Sequence, residues 1–334
     1  MITKSEIRSL LEKDNPSCKT NSCNAYVISL FKILSKYEEI HDTKTHKRSL
    51  KTLNNYTNVM KVINSDTWGK DKNKSLPLTT KKNYLTAILV ATRDKPYFKK
   101  SYEKYRNTTH TIRTEYDKHI KSNKKSKAQE DNWVSWKELE DIMKDIHQAI
   151  KDKGILRKSD ITNRDKKLIQ QWVLVSLYIL QKPRRAEYSN TAIIKEKLFN
   201  KLSNDEKKKN NWLVVKSRNT KYFYFTKYKT DKKFGNIRVN VDPKLNSVLN
   251  VWLKYNKGEW LLYDNRGGMM SPNNLVKALQ RAFSPTGKKI SVSMIRHIYN
   301  SEKGESSKID QAKLEQQAKD MGHSVETSLD YVKK

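Results

Sequence analysis

The chain is interrupted in its middle by a stretch that cannot enter a hydrophobic core. From Lys121 to Asp131 it reads KSNKKSKAQED, with four lysines and no apolar residue large enough to anchor packing. Apolar residues recur at regular spacing on both sides of it. Two domains are therefore expected for the 334 residues ahead of a single one. The expected layout is a domain over residues 1–120, a basic linker over 121–131 and a second domain over 132–334.

The first domain reads as helices. Tyr26, Val27, Leu30, Phe31 and Leu34 share one helical face, and Leu53, Tyr56, Val59, Met60 and Ile63 repeat the pattern. Thr80 is placed to cap a third helix carrying Tyr84, Leu85, Ile88 and Leu89, with Lys81 and Lys82 on its exposed side. Tyr102, Tyr105, Ile112, Tyr116 and Ile120 mark a longer, half-polar helix. An aromatic stripe at this spacing serves core packing more often than base stacking. The expectation is a helical bundle with basic outer faces.

The second domain mixes periods. Ser135 and Glu138 have capping-box spacing ahead of Leu139, Ile142, Met143 and Ile146. A more apolar helix starts near Arg164 and stops at Pro183, which leads into Arg184, Arg185, Ala186, Glu187 and Tyr188. Two arginines after an apolar helix belong where a charged ligand arrives. Three strand-type runs follow, Trp212–Lys216, Tyr222–Tyr228 and Phe234–Val241, the last two joined by a basic tip holding Lys227, Lys229, Lys232 and Lys233. Asp242-Pro243, Ser271-Pro272 and Ser291 open further helices. The fold class expected is mainly α with a small antiparallel β-sheet.

Charge narrows the partner. Lys and Arg number 69 against 36 Asp and Glu, a formal charge of +33. That excess suits a polyanion, with double-stranded DNA first. No apolar run reaches the roughly 18 residues of a spanning helix, and the opening MITKSEIRSLLEKD has no signal-peptide core, so the chain is expected to be soluble, intracellular and without a membrane partner. Nucleus and cytoplasm are equally compatible. Two cysteines, Cys18 and Cys23, build neither a disulfide framework nor a zinc cluster, the seven histidines are scattered, and nine glycines form no phosphate loop. Neither a metal nor a cofactor is expected.

The tail concentrates the chemistry. It reads ISVSMIRHIYN, then a charged stretch, then MGHSVETSLDYVKK. Arg296 and His297 adjoin, His323 follows Gly322, and Tyr331 stands eight residues beyond His323. With Arg184 and Glu187 upstream in PRRAEY and the basic tip between, this order resembles the tyrosine recombinase (phage integrase) family over about Asp131 to Lys334. The PRRAEY phrase and the Lys- and Asn-rich composition look like integrases of large DNA viruses, virophages and other mobile elements.

The resemblance implies a helical, DNA-clamping core-binding domain ahead of an α+β catalytic domain. It implies roles too. Arg184 and Arg296 would clamp a phosphate, since guanidinium presents a planar fork of donors that stays charged. Tyr331 would attack, Lys229 would protonate the departing 5′ oxygen, with Lys227 as its neighbouring alternative, and His323 would donate a hydrogen bond to the phosphate. Glu187 would brace an arginine, and Ser293 and His297 would support the site. Lys81, Lys82, Lys121, Lys124, Lys125, Lys127, Arg185 and Lys227 are the expected DNA contacts. The implied active form is a homotetramer on paired DNA sites.

Two departures stand out. The family usually carries His or Lys three residues before its second Arg, where this chain has Ser293, and the interval from His323 to Tyr331 is one residue short. One residue turns an ideal helix by about 100°. The rival readings are a type IB topoisomerase-like strand relaxer, a DNA-binding protein weakened in catalysis, and a basic RNA-binding protein, the last without a recognition motif.

Overall fold

The computed structural model describes residues 2–41, 48–68, 74–303 and 311–333. It is mainly α-helical with one small four-stranded mixed sheet. The chain divides into two compact units, Met1–Ser122 and Asn123–Lys334.

The first unit packs the helices Lys4–Asp14, Thr20–His41, Tyr56–Asn64, Leu78–Thr92 and Lys99–Lys121. Their apolar faces meet through Ile7, Leu30, Ile33, Leu53, Val59, Ile63, Leu85 and Ile88, all fully buried. Burying each such side chain stabilises the bundle by about 1.5–3 kcal/mol. Tyr105 belongs to this core. Its hydroxyl donates to the Leu53 carbonyl at 2.9 Å, its ring lies edge-on to Tyr56, and burial pushes its phenol pKa up. The helix that the sequence starts at Thr80 begins at Leu78, two residues earlier, and its N-cap is Pro77, which offers no capping side chain. Lys81 and Lys82 depart from the sequence expectation, being half-buried. Lys81 Nζ donates to Asn64 Oδ1 at 2.9 Å, and the Lys82 ammonium sits 3.7 Å from the Tyr116 ring centroid. Lys121 ends its helix, and its side chain lies outside the described residues.

The second unit opens with a correction to the linker. Within the run 121–131 a helix begins at Lys127 and continues to Asn132, because Ser126 and Gln129 form a capping box. Lys124 and Lys127 are exposed there, and the Lys125 ammonium lies 4.5 Å from the Trp133 ring centroid. Next comes Trp136–Asp152, capped by Ser135 and Glu138 as the sequence predicts. The helix Asn163–Ile179, capped by Thr162 and Asp165, is buried at every residue from Trp172 to Ile179. It passes through the core, and the helices Trp136–Asp152, Pro243–Tyr255 and Pro272–Ala282 pack against it. Asp242, Ser271 and Ser291 cap Pro243–Tyr255, Pro272–Ala282 and Val292–Glu302. Gln311–Asp320 and Val325–Tyr331 complete the unit.

The sheet has the order β1 (Thr191–Lys195), β2 (Asn211–Val215), β3 (Lys221–Phe225) and β4 (Ile237–Asn240). It is not purely antiparallel, as the sequence suggests: β1 runs parallel to β2, and the other two pairs are antiparallel. The added strand β1 is five residues long and runs straight into the helix Glu196–Phe199, so its apolar triplet merges with a helical pattern. Leu213, Phe223, Phe225 and Ile237 face the main core. On the opposite face Ala192, Trp212, Val214 and Tyr222 pack with Phe199 in a second cluster. Strand β3 stops at Phe225 because the backbone amides of Thr226 and Lys227 donate to Asn211 Oδ1, at 2.9 and 2.8 Å. The tip between β3 and β4 then forms a short helix, Asp231–Phe234, where the sequence suggested a plain hairpin.

Candidate active site

The helix Gln311–Asp320 ends in a turn whose carbonyls gather three arginines. Gly322 has φ +71°, and the amide of His323 reaches back to the Ala318 carbonyl at 3.0 Å, closing the helix in a Schellman-type cap. This leaves the last carbonyls of the helix facing outward, carrying the negative end of its dipole. Arg184 Nη1 donates to the Asp320 carbonyl at 2.5 Å, Arg296 Nη1 to that of Met321 at 3.4 Å, and Arg185 Nη1 to that of Gly322 at 2.9 Å. A side chain at 322 would not fit, since a Cβ there would lie 2.8 Å from Arg184 Nη2.

Arg184 and Arg296 are fully buried, yet their remaining donors are idle. Nε and Nη2 of both guanidinium groups are buried without a hydrogen-bond partner among the described residues. Glu187 lies 3.9 Å from Arg184 Nε, close enough for an ion pair and too far for a hydrogen bond. The Arg184 guanidinium stacks 3.9 Å from the Phe225 ring centroid, which orients the fork. Burial, together with the charges of Arg185 and Arg184, lowers the Arg296 pKa to about 10, which still leaves it cationic at neutral pH.

Tyr331 sits over this cluster. The Arg296 guanidinium carbon lies 4.6 Å from its ring centroid, and the rings of His297 and His323 are 4.7 and 5.6 Å away. His297 Nδ1 is 3.0 Å from the Tyr331 carbonyl and so must donate to it. His323 lies in the turn, ahead of the N-cap Ser324, outside the helix Val325–Tyr331. The short interval to Tyr331 therefore does not impose a full helical rotation. His323 Nδ1 is 3.0 Å from the Ser324 carbonyl, and its Nε2 is buried without a partner. Burial pushes the His323 pKa down to about 3, helped by Arg296, Arg185 and Arg184, and pushes that of His297 down to about 4.

The β3–β4 connection borders the same turn. Tyr228 is buried 5.4 Å from the Arg184 guanidinium, with its phenol pKa raised to about 12 by burial, and Thr230 Oγ1 donates to the Gly322 carbonyl at 2.8 Å. Lys229, between them, is exposed, as is Lys227. The structure thus gathers Arg184, Arg185, Glu187, Arg296, His297, His323 and Tyr331, with Lys229 on the adjoining loop. Ser293 is exposed on the first turn of Val292–Glu302.

Two asparagines escape a motif reading. Asn300 is fully buried: Nδ2 donates to the Arg296 carbonyl at 2.9 Å, and Oδ1 accepts from Gln317 Nε2 at 3.0 Å and Ser328 Oγ at 3.3 Å. It joins the arginine helix to the two helices of the tail. Asn211 joins the base of the β3–β4 connection to the Arg184–Glu187 segment, since its Nδ2 also donates to the carbonyls of Glu187 and Lys227. Their signal in sequence is slight: one follows Arg296 by a helical turn, and the other opens a strand. Among the described residues, no cluster of His, Cys, Asp or Glu has the makings of a metal site, and no helix is long and apolar enough to cross a membrane.

No family model matches the chain, and no curated protein matches it. Among solved structures it is similar to a crystal structure of XerA recombinase, with 13% identity and a TM-score of 0.38 over 99% of this chain and 94% of that one.

Proposed function

We propose that the chain is a DNA strand-cleaving and rejoining enzyme of the tyrosine recombinase type, acting in integration or excision of a viral or mobile element. The observation that carries the reading is the set of idle, buried guanidinium donors on Arg184 and Arg296 beside the ring of Tyr331. A buried donor without a partner costs about 1–3 kcal/mol, so a cluster of them marks a place that an anion completes. In this reading the scissile phosphate takes the position the Tyr331 ring holds over Arg296. The two guanidinium forks then bind its nonbridging oxygens, and Tyr331 Oη attacks phosphorus. A 3′-phosphotyrosyl bond forms and the 5′ oxygen leaves with a proton from Lys229. That lysine is favoured over Lys227 because its chain neighbours border the site, Tyr228 beside the Arg184 guanidinium and Thr230 on the Gly322 carbonyl. The bond to tyrosine conserves the energy of the phosphodiester, so rejoining needs neither ATP nor a metal. The first unit and the exposed lysines at 124 and 127 hold the duplex, and the working assembly is a homotetramer on paired sites.

Covalent capture tests this. The protein is incubated with a pool of nicked duplexes of randomised sequence, denatured, and its attached strands are sequenced. Wild type should give a metal-independent adduct, and Tyr331→Phe should give none. Exchanged strands among the ligated products identify a recombinase, and relaxed circles alone identify the topoisomerase-like alternative. Salt-sensitive binding without any adduct leaves a DNA-binding protein, with Ser293 as the first residue to replace by His.

A further inference from the structure

The hydrogen bond at Nδ1 of His323 determines what its other nitrogen can do. The Ser324 carbonyl only accepts, so at 3.0 Å Nδ1 must carry the proton. Surrounded by Arg184, Arg185 and Arg296, with Glu187 behind Arg184 as the nearby carboxylate of the arginine turn, the ring stays neutral. Lys182 is held by Asp320, 3.1 Å away, and the His297 ring lies across Tyr331. A neutral imidazole protonated at Nδ1 has a bare lone pair at Nε2. That atom is buried, has no partner among the described residues, and belongs to a ring whose centroid is 5.6 Å from that of Tyr331. A bare nitrogen cannot donate to a phosphate oxygen. It can accept a proton.

We propose that, with the scissile phosphate's negative charge offsetting the three arginines around the ring, His323 Nε2 takes the phenolic proton of Tyr331 as the nucleophile attacks, and becomes a donor to the phosphate only afterwards. This role rests on the strand-transfer reading above. The step balances: the Tyr331 Oη–P bond forms as the P–O5′ bond breaks, the phenol proton passes to His323 Nε2, and Lys229 supplies the proton that leaves with the 5′ hydroxyl. The imidazolium so formed carries an Nε2–H that can bond the phosphoryl oxygen, where charge develops during attack. The proton returns to Tyr331 when a 5′ hydroxyl displaces it. The assignment also accounts for Ser293. A serine there is neither a cation nor a base, and with His323 as proton acceptor the site does not need one.

Two measurements on the full chain test the role. In protein labelled with ¹⁵N-histidine, with the His323 signal identified by its loss in His323→Gln, the ring should be the neutral Nδ1–H tautomer between about pH 5 and pH 8. An Nε2–H tautomer, or an imidazolium at neutral pH, overturns the proposal whatever the DNA experiments give. The second measurement uses randomised duplexes with a 5′-bridging sulfur in place of oxygen, whose thiolate leaves without an acid. Lys229→Ala should then form adduct at nearly the wild-type rate, while His323→Ala stays slower by about a hundredfold or more. Recovery of both variants on the sulfur substrate would assign His323 to the leaving-group side and refute the proposal. If wild type forms no adduct on either substrate, the strand-transfer reading falls and this role falls with it. The tautomer measurement separates that failure from a wrong assignment of the base.

Discussion

His297 and His323 are imidazoles folded into an arginine-rich interior, and burial holds both neutral. Their folded pKa values, about 4 and about 3, lie below the ordinary 6.5. In the window between, the unfolded chain binds protons that the folded chain does not, so stability rises with pH there. The contribution is fully present above 6.5 and is lost as pH falls toward those folded values. Carboxylates that are paired or hydrogen-bonded in the folded chain give the same sign, so wild type alone does not isolate the effect. Urea denaturation across this range should show a steeper acid loss for wild type than for His297→Gln, whose amide does not titrate. Equal slopes would mean that the His297 ring is already charged in the native protein.

Among the elements, the helix carrying Tyr331 is short, seven residues, and an isolated helix of that length does not persist in water. Its position depends on what holds it: Asn300 at Ser328, His297 at the Tyr331 carbonyl, and Ser301 Oγ accepting from the Lys333 amide at 2.8 Å. Asn300→Ala leaves Gln317 Nε2, Ser328 Oγ and the Arg296 carbonyl without that partner. It should cost about 1–3 kcal/mol in chemical denaturation and slow adduct formation while DNA affinity changes little. A variant that binds DNA poorly in proportion would point to a general loss of fold. Much of this architecture was legible in the residues. Ser135, Asp242, Ser271 and Ser291 announce helices because a capping side chain acts within one turn. Arg184, Arg296, Gly322, His323 and Tyr331 stand in a recognisable order. Strand β1 was not legible, because its pairing with β2 is decided by residues far along the chain, and neither was the role of Asn211 or Asn300. A buried amide earns its partners only when distant segments meet, and its neighbours in sequence say nothing of them. The helix at Lys127 was missed for the opposite reason: its capping box is local, and the surrounding lysines obscured it.

For the molecule as a whole, the +33 charge should dominate any binding to nucleic acid. Cations that displace counterions from DNA make affinity fall steeply with salt. A protein engaging six to ten phosphates loses about 10³–10⁵ in affinity between roughly 50 and 200 mM salt. Fluorescence anisotropy with a random duplex should show that slope, and Lys124→Ala and Lys127→Ala should each lower it by about one unit. Lys82 should matter less, because its ammonium already rests on Tyr116. Unchanged slopes in the first two variants would move the phosphate contacts elsewhere on the surface.

The three arginines that hold the turn at 320–322 all grip backbone carbonyls. A carbonyl is common to every amino acid, so these bonds place no demand on the side chains at 320 and 321. Those positions answer to other needs, a lysine contact for Asp320 and core packing for Met321. Only Gly322 is tied to the grip, through its positive φ and the closeness of Arg184. The side chains at 320 and 321 can therefore change while the grip on the turn stays intact, and the one local mark the grip leaves in the sequence is the glycine at 322, held by arginines far away in the text.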